Sequence, residues 1–432
     1  MKDLRKIILL FIVNLVFLPA LQASAVEANV AVSKLTPPLE IGYTLGGYGA
    51  RMSKAAEGIH DDIWAKALVL SDGGKKYAIV TLDILGLPPN VKPLIIEKLN
   101  GETWTEENIM FLPSHSHTSL EMFALNDKNI FDLAPIGIFQ PELLDFVVET
   151  LADLIKSADQ NLKPVRIGSQ CKDIEGLNRN RRGEAFVDNT LTVTRIDHLD
   201  GQAMAVLVNW TGHPTIMDED DMLVSGGWPG YLQRELEGIL GKGVVAMYYN
   251  GSQADQSVVA KSAGSHYEKA ERYGRTMAIH VRSIYENIQP ADDIPFTYNY
   301  KSIPLPEREA HPDFMLTGGK EYGLDEDRIN ILLEQVFPVQ THVGACRLGD
   351  LLIVGAPGEL IAELGLTIKD NLKIRGIKYP VIGGLANEWI SYILSEEEYQ
   401  KGGYESSVSF YGKDLGDVIV RGMMDTAIPL TE

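Results

Sequence analysis

A chain of 432 residues, 45% hydrophobic and 23% charged, has the make-up of a globular protein with room for one large domain or two. Its formal net charge of −20 excludes a nucleic-acid partner, which needs a basic surface, and disfavours electrostatic attachment to anionic lipid. Two cysteines, Cys171 and Cys346, are too few for a thiolate metal site, and pairing or two free thiols are equally allowed.

The chain opens with Lys2, Arg5 and Lys6, runs apolar over 7–21, and reaches Ala23-Ser-Ala25. A basic start, a short apolar core and a small-residue exit make a secretory signal peptide. Asn14 and Pro19 interrupt the run, and it is shorter than the ~20 apolar residues that a membrane span prefers. We therefore expect cleavage after Ala25, a secreted or periplasmic product, and a fold confined to residues 26–432.

Residues 26–60 read as loop and short strand. Apolar runs at 64–70 and 77–82 flank a Ser71-Asp-Gly-Gly74 turn and predict a hairpin whose second strand ends at Asp83. A helix over 91–99 and a strand over 109–112 follow. Strand, helix, strand predicts a right-handed crossover and a partly parallel sheet. Residues 141–162 carry Leu143, Leu144, Val147, Leu151 and Ile155 on one helical stripe. A strand at 165–168 precedes a basic loop, Asn178-Arg-Asn-Arg-Arg182, in an otherwise acidic chain. Runs at 191–196 and 203–209 form a second hairpin around Asp200-Gly201. Residues 228–240 are helical, 244–249 a strand, and 267–288 a long helix. The stretch 290–340 is irregular, rich in Pro and charge, and reads as an insertion or lid with one helix near 328–335. A strand at 351–354, a helix over 360–372 and a strand-like run at 380–385 complete the pattern. The fold class is α/β: a mixed, partly parallel central sheet flanked by helices, with the active site at the carboxyl ends of its strands.

Chemistry-bearing residues gather where apolar strands stop. His115 and His117 follow the 109–112 run; on an extended backbone, side chains at i and i+2 share a face about 6–7 Å apart. His213 follows Trp210, Glu359 follows the 351–354 strand through Ala-Pro-Gly, and Tyr392 lies beyond 380–385. Each alone has a plain explanation: solvated loop histidines, a hydrogen-bonded His213 beside Trp210, a carboxylate at a helix start. The same placement recurring at four strand ends points to one metal ion held by histidines and a carboxylate, with a position open for water.

These stretches resemble the neutral, non-lysosomal ceramidase family. His115-Ser-His-Thr-Ser119 is similar to its His-Thr-His-Ser-Gly, and Asn209-Trp-Thr-Gly-His213 to its second histidine segment. Ala254-Asp-Gln-Ser257 is similar to Gly-Asp-Val-Ser, Pro357-Gly-Glu359 matches directly, and Ser391-Tyr-Ile393 with Tyr404-Glu405 resembles the last catalytic segment. The likeness spans roughly residues 40–412 in unbroken order. It implies the catalytic domain without the C-terminal β-sandwich domain of full-length relatives. It also implies Zn²⁺ held by His115, His213, Glu359 and Tyr392, with His117 moving protons and Tyr404 meeting the oxyanion. Arg179 is implied to line the site, with Arg181 as the competing assignment, and Ser257 to contact substrate.

The implied activity is a zinc-dependent amidohydrolase. It would cleave the N-acyl bond of ceramide or a related N-acyl lipid, through attack by a water that zinc makes acidic. A zinc hydrolase of a non-sphingolipid amide or ester is the second reading, and a secreted binding protein with a degenerate site the third. An apolar groove leading to the metal would favour a lipid tail. Contact with a membrane surface is expected to be transient at most, and the oligomeric state is left open. The sequence departs from the family where Ser119-Leu-Glu-Met122 stands in place of glycines and where Val258-Val follows Ser257.

Overall fold

In the computed structural model, residues 26–101 and 103–432 are described, and the expected signal peptide lies outside them. Alternating side chains on the early strands are apolar on both faces. Ala65, Ala67 and Val69 pack one way, Leu68 and Leu70 the other, and all are buried. A strand with two apolar faces must be covered twice, and the rest of the chain supplies both covers.

The main sheet has eight strands. They are β1 (Glu27–Lys34), β2 (Trp64–Ser71), β3 (Lys76–Leu82), β4 (Ile109–Pro113), β5 (Lys163–Asp173), β6 (Thr190–His198), β7 (Ala203–Trp210) and β8 (Val245–Asn250). Their order across the sheet is β8-β7-β6-β5-β1-β2-β3-β4. The β3–β4 and β7–β8 pairs are parallel and the others antiparallel, so the mixed, partly parallel sheet expected from the sequence is borne out. Helix α1 (Val91–Leu99) makes the crossover from β3 to β4. It covers one face together with α2 (Pro141–Ala158), whose apolar stripe packs on β2, β3 and β4. Helices α3 (Gly227–Leu240) and α4 (His266–Tyr285) cover the part formed by β6, β7 and β8. The sheet also rolls: Asn250, the last residue of β8, donates from Nδ2 to the Ser114 carbonyl just past β4, at 3.1 Å, so the two edges meet.

The inner face of this sheet packs on a second, four-stranded sheet that the sequence reading only half anticipates. It comprises β9 (Phe296–Pro304), β10 (Gln340–Leu348), β11 (Leu351–Gly355) and β12 (Tyr379–Gly383), in that order. Strands β9 and β10 fall in and beside the stretch read as irregular. The polar, half-exposed β9, with Pro304 at its end, and the polar start of the mostly buried β10, Gln340-Thr-His342, hide them. Met110, Leu112, Met247 and Tyr249 of the first sheet meet Cys346, Leu351 and Ile353 of the second in one core. The segment between β9 and β10 holds the short helix α5 (Glu326–Val336), and the outer face of the second sheet carries α6 (Ala362–Ile374) and α7 (Leu415–Ala427). Four layers result: helix, sheet, sheet, helix. Cys171 is exposed and Cys346 buried, and both are free thiols. Among the described residues no helix is long and apolar enough to cross a membrane.

Candidate metal centre

Strand β4 stops at Pro113, and the chain turns sharply into the histidine pair. His115 takes a left-handed backbone, φ 69°, rare for a residue with a side chain. The extended geometry expected for His115-Ser-His117 is therefore not what forms. The turn instead brings the two rings to 4.9 Å between centroids, edge to face. His115 N donates to the Ile84 carbonyl and Ser114 N to that of Leu82, so the strained residue is held from the strand beside it. Because the sheet edges meet, His213, three residues beyond β7, arrives 4.7 Å from the His115 ring and 5.1 Å from that of His117. Its backbone pairs with Ser257 as an isolated parallel bridge.

Hydrogen bonds fix which ring nitrogens face inward. His115 Nδ1 lies 2.6 Å from the Leu85 carbonyl and His213 Nδ1 3.3 Å from that of Gln253. A carbonyl only accepts, so both Nδ1 atoms carry the proton and both Nε2 atoms present lone pairs. His115 Nε2 lies 3.5 Å from Glu359 Oε2 and His213 Nε2 4.0 Å from the same oxygen. His213 Nε2 is also 3.1 Å from His117 Nε2. Glu359 is buried; its Oε1 accepts from the Trp389 indole at 3.0 Å, and its Oε2 has no hydrogen-bond partner. Burial lowers the pKa of His117 and of His213 well below the usual imidazole value. The neighbouring imidazoles and Arg181 add to this for both, and Arg51 for His117. Burial would push the Glu359 carboxyl up, but His115, Arg181 and Trp389 outweigh it and hold it below its ordinary value.

Neutral imidazoles with inward lone pairs, around a buried carboxylate with an orphaned oxygen, repel one another unless a cation sits between them. Ligand atoms around a tetrahedral zinc at ~2.0–2.1 Å are about 3.3 Å from each other, close to the spacings here. His115, His117 and His213 together form a buried group whose ligand atoms all lie within 4.8 Å of one another. The residues present fit a divalent metal.

Tyr392 pairs through its backbone with Glu359, as two short parallel strands, Glu359–Leu360 and Tyr392–Ile393. Burial and Glu359 push its phenol up, while Arg181 pulls it down; Arg181 Nη2 donates to the phenol oxygen at 3.2 Å. Tyr404 stands edge-on to Tyr392, 6.0 Å between centroids, and its hydroxyl is 3.1 Å from that of Tyr322.

The two candidate arginines separate clearly. On the short strand Asn178–Asn180, the flanking asparagines are buried and Arg179 points out to solvent. The strand ends at Asn180. Arg181 then turns inward, its backbone tied to the Asp255 carbonyl and its Nε to Glu405 Oε1 at 2.7 Å. Arg182 bridges Glu405 and Glu398 at 2.9 and 2.7 Å and braces the same carboxylate. Ser257 is half-buried and paired with Arg179 across two short strands. It meets the site through its backbone contact with His213.

Several contributors were not singled out from sequence. Arg51 is buried and donates to the carbonyls of Gly46, His117 and Asp218. A buried pair, Lys369 and Asp188 at 2.9 Å, holds Thr211 through Asp188 Oδ2 and so steadies the chain two residues before His213. Trp389 lies two residues before the Ser391-Tyr-Ile393 motif, the signal that could have found it, and Glu405, quoted within a motif, was given no role there.

From this polar floor a cavity opens, with about 760 Å³ of atom-free space, its mouth included. His115, His117, Glu359, Tyr392 and Tyr404 line one part. Leu85, Met122, Phe123, Ile136, Trp389, Val408 and Phe410 line the rest, together with Phe314, Leu324, Leu332 and Phe337 of the segment between β9 and β10. The segment read as an insertion or lid is one wall of an apolar chamber.

Residues 35–264, more than half the chain, match the family described as neutral/alkaline non-lysosomal ceramidase, N-terminal. Neutral ceramidase of Pseudomonas aeruginosa is 22% identical over 89% of this chain and 69% of its own length. That of Mycobacterium tuberculosis is 21% identical over 85% and 71%. Neutral ceramidase of Drosophila melanogaster is 25% identical over 51% of this chain and 33% of its own. The crystal structure of the Pseudomonas aeruginosa protein superposes with a TM-score of 0.79 at 19% identity, covering 94% of this chain and 74% of that one, a shared fold. The matched stretch contains the histidine pair, His213 and both short strands around Ser257, and on that evidence the chain belongs to the neutral/alkaline non-lysosomal ceramidase family.

Proposed function

We propose that this protein is an exported, zinc-dependent amidohydrolase that cleaves the N-acyl bond of ceramide or a related N-acyl lipid. One observation carries the reading: inward lone pairs and an orphaned carboxylate oxygen form the polar floor of a largely apolar chamber. His115, His213, Glu359 and Tyr392 are the residues that would hold zinc, with Arg181 easing Tyr392 toward its phenolate. Zinc there supplies a Lewis acid that makes water nucleophilic at neutral pH.

The chain's own residues do the remainder. The apolar wall takes the acyl tail and keeps bulk water from the amide. His117, whose Nε2 faces the site 3.1 Å from His213 Nε2, accepts the proton of the attacking water and passes it to the leaving nitrogen. The carbonyl carbon gains a bond to oxygen and loses its bond to nitrogen, giving a carboxylate and an amine. Arg181, rather than the outward Arg179, and Tyr404 face the negative charge that develops on the carbonyl oxygen. Ser257 acts through the backbone, holding His213. Exposed Met315 and Leu316, beside cavity-lining Phe314, support a brief contact with a lipid surface during substrate uptake.

The test is fatty-acid release from a panel of N-acyl amides, with zinc measured per chain and with a chelator added. About one zinc per chain and loss of release on chelation are expected. Hydrolysis that survives chelation overturns the mechanism. Metal without turnover favours the binding-protein reading, and turnover confined to non-sphingolipid amides or esters favours the second hydrolase reading.

A further inference from the structure

The segment between β9 and β10 lends the cavity wall Phe314, Tyr322, Leu324, Leu332 and Phe337, and the Tyr322 hydroxyl is the one polar side-chain group among them. A phenylalanine would fill the same wall without taking an oxygen out of water, so the hydroxyl is what needs a reason. That oxygen lies 3.1 Å from the Tyr404 hydroxyl, and among the described residues it is the hydrogen-bond partner that the Tyr404 hydroxyl has.

The contact is built from two sides. Tyr322 closes the short helix Gly318–Tyr322, which stops at Gly323 in a left-handed turn, φ 66°. The Gly49 amide bonds to the carboxyl of the preceding Glu321. The Tyr322 ring packs on Gly49 itself, where a Cβ would stand 3.0 Å from its Cδ1. On the other side, Tyr404 opens the turn Tyr404–Ser407 directly after Gly403, φ 91°, with its ring edge-on to Tyr392. The two phenols therefore meet with both backbones held and both rings confined.

A hydroxyl carries one proton and two lone pairs. If Tyr404 gives its proton to Tyr322, none is left for a carbonyl oxygen that is gaining charge. If Tyr322 is the donor, the Tyr404 proton is free to point into the cavity. Developing negative charge favours the second arrangement, because each bond in a chain of hydroxyls polarises the next. Resting on the amidohydrolase reading, we propose that Tyr322 is a positioning residue for the reaction: its hydroxyl donates to Tyr404 and turns the Tyr404 proton toward the oxyanion. Tyr322 acts through Tyr404 and makes no bond to the substrate itself.

The test compares Tyr322→Phe, Tyr404→Phe and the double variant with the wild type, all zinc-loaded, on one N-acyl amide, with kcat and KM separated. Tyr404→Phe removes a donor to the oxyanion and should lower kcat ~10²–10³-fold. Tyr322→Phe removes only the oxygen behind it. Its kcat should fall about 3- to 10-fold, the usual net worth of one hydrogen bond, with KM and zinc content unchanged. In the Tyr404→Phe background the same change should add no further loss, since the atom it acts through is gone. A merely structural hydroxyl would act equally in both backgrounds. Calorimetry with a phosphonate analogue of the tetrahedral intermediate gives a readout without turnover, and its affinity should fall by the same factor in Tyr322→Phe. A change confined to KM, or an equal loss in both backgrounds, overturns the proposal. If the wild type hydrolyses no amide, the amidohydrolase reading falls and this proposal with it, whereas turnover undiminished in Tyr322→Phe overturns the proposal alone.

Discussion

The floor and the wall of the cavity are built in opposite ways. The floor hangs from strand ends: β4 carries His115 and His117, β7 carries His213, and β11 leads to Glu359, each anchored by a backbone ladder. The far wall comes from the stretch between β9 and β10, where a helical turn presents Phe314, helix α5 presents Leu332, and the loops beside α5 present Leu324 and Phe337. Ladders fix atoms to within the tolerance a metal demands, whereas apolar packing needs only shape and volume. On the proposed reading, chemistry is lodged in the first kind of structure and choice of substrate in the second.

Four experiments break or sharpen that contrast. The largest effect is expected on the floor: His117→Ala should lower kcat by ~10²–10⁴ with KM and zinc content nearly unchanged. Loss of zinc on that substitution would make His117 a ligand and redraw the set. Next, Lys369→Met strands Asp188 in the interior. Chemical denaturation should then register a loss of about 3–5 kcal/mol. A near-neutral result would mean that the strand end before His213 is held without this pair. On the wall, Phe337→Leu should raise KM about 3- to 10-fold for a long acyl chain and leave a two-carbon chain untouched. Equal changes for both lengths would show that this wall does not meet the tail.

The smallest effect is a slope. Burial raises the folded Glu121 pKa from 4.5 to about 7, so the folded state binds more protons than the unfolded in that window. Its contribution is present below pH 4.5 and is lost as pH rises toward 7. Glu121→Gln should flatten that decline in a stability-versus-pH series, read as the difference from wild type. An unchanged slope would mean that the carboxyl is better solvated than its surroundings suggest.

The strands of the floor were legible because fully buried strands read as apolar runs that stop abruptly at polar residues. That is why the 109–112, 203–209 and 351–354 stretches stand out, and with them the residues just beyond. The left-handed turn at His115 was not legible, since nothing local announces a backbone imposed by Ile84 and Leu82 next door. Arg179 and Arg181 look alike in a repeated Asn-Arg unit, and only the end of a three-residue strand at Asn180 separates outward from inward. Strand β9 was missed because Thr, Asn and Lys occupy its half-exposed positions, and the mostly buried β10 because it opens on Gln, Thr and His and carries Gly344 at its centre. A phenol as a partner for the histidines came from resemblance alone; its spacing to Glu359 is created by two-residue strands too short to leave a pattern.

The bond from Asn250 to Ser114 closes a seam between parts of the chain 136 positions apart. Imidazoles from either side of that seam cannot converge until both edges of the rolled sheet have been made and joined. On the proposed reading, an emerging polypeptide holding only the first histidine pair has one of four ligands, so metal capture and hydrolytic power would arrive together, with the closed seam as their certificate.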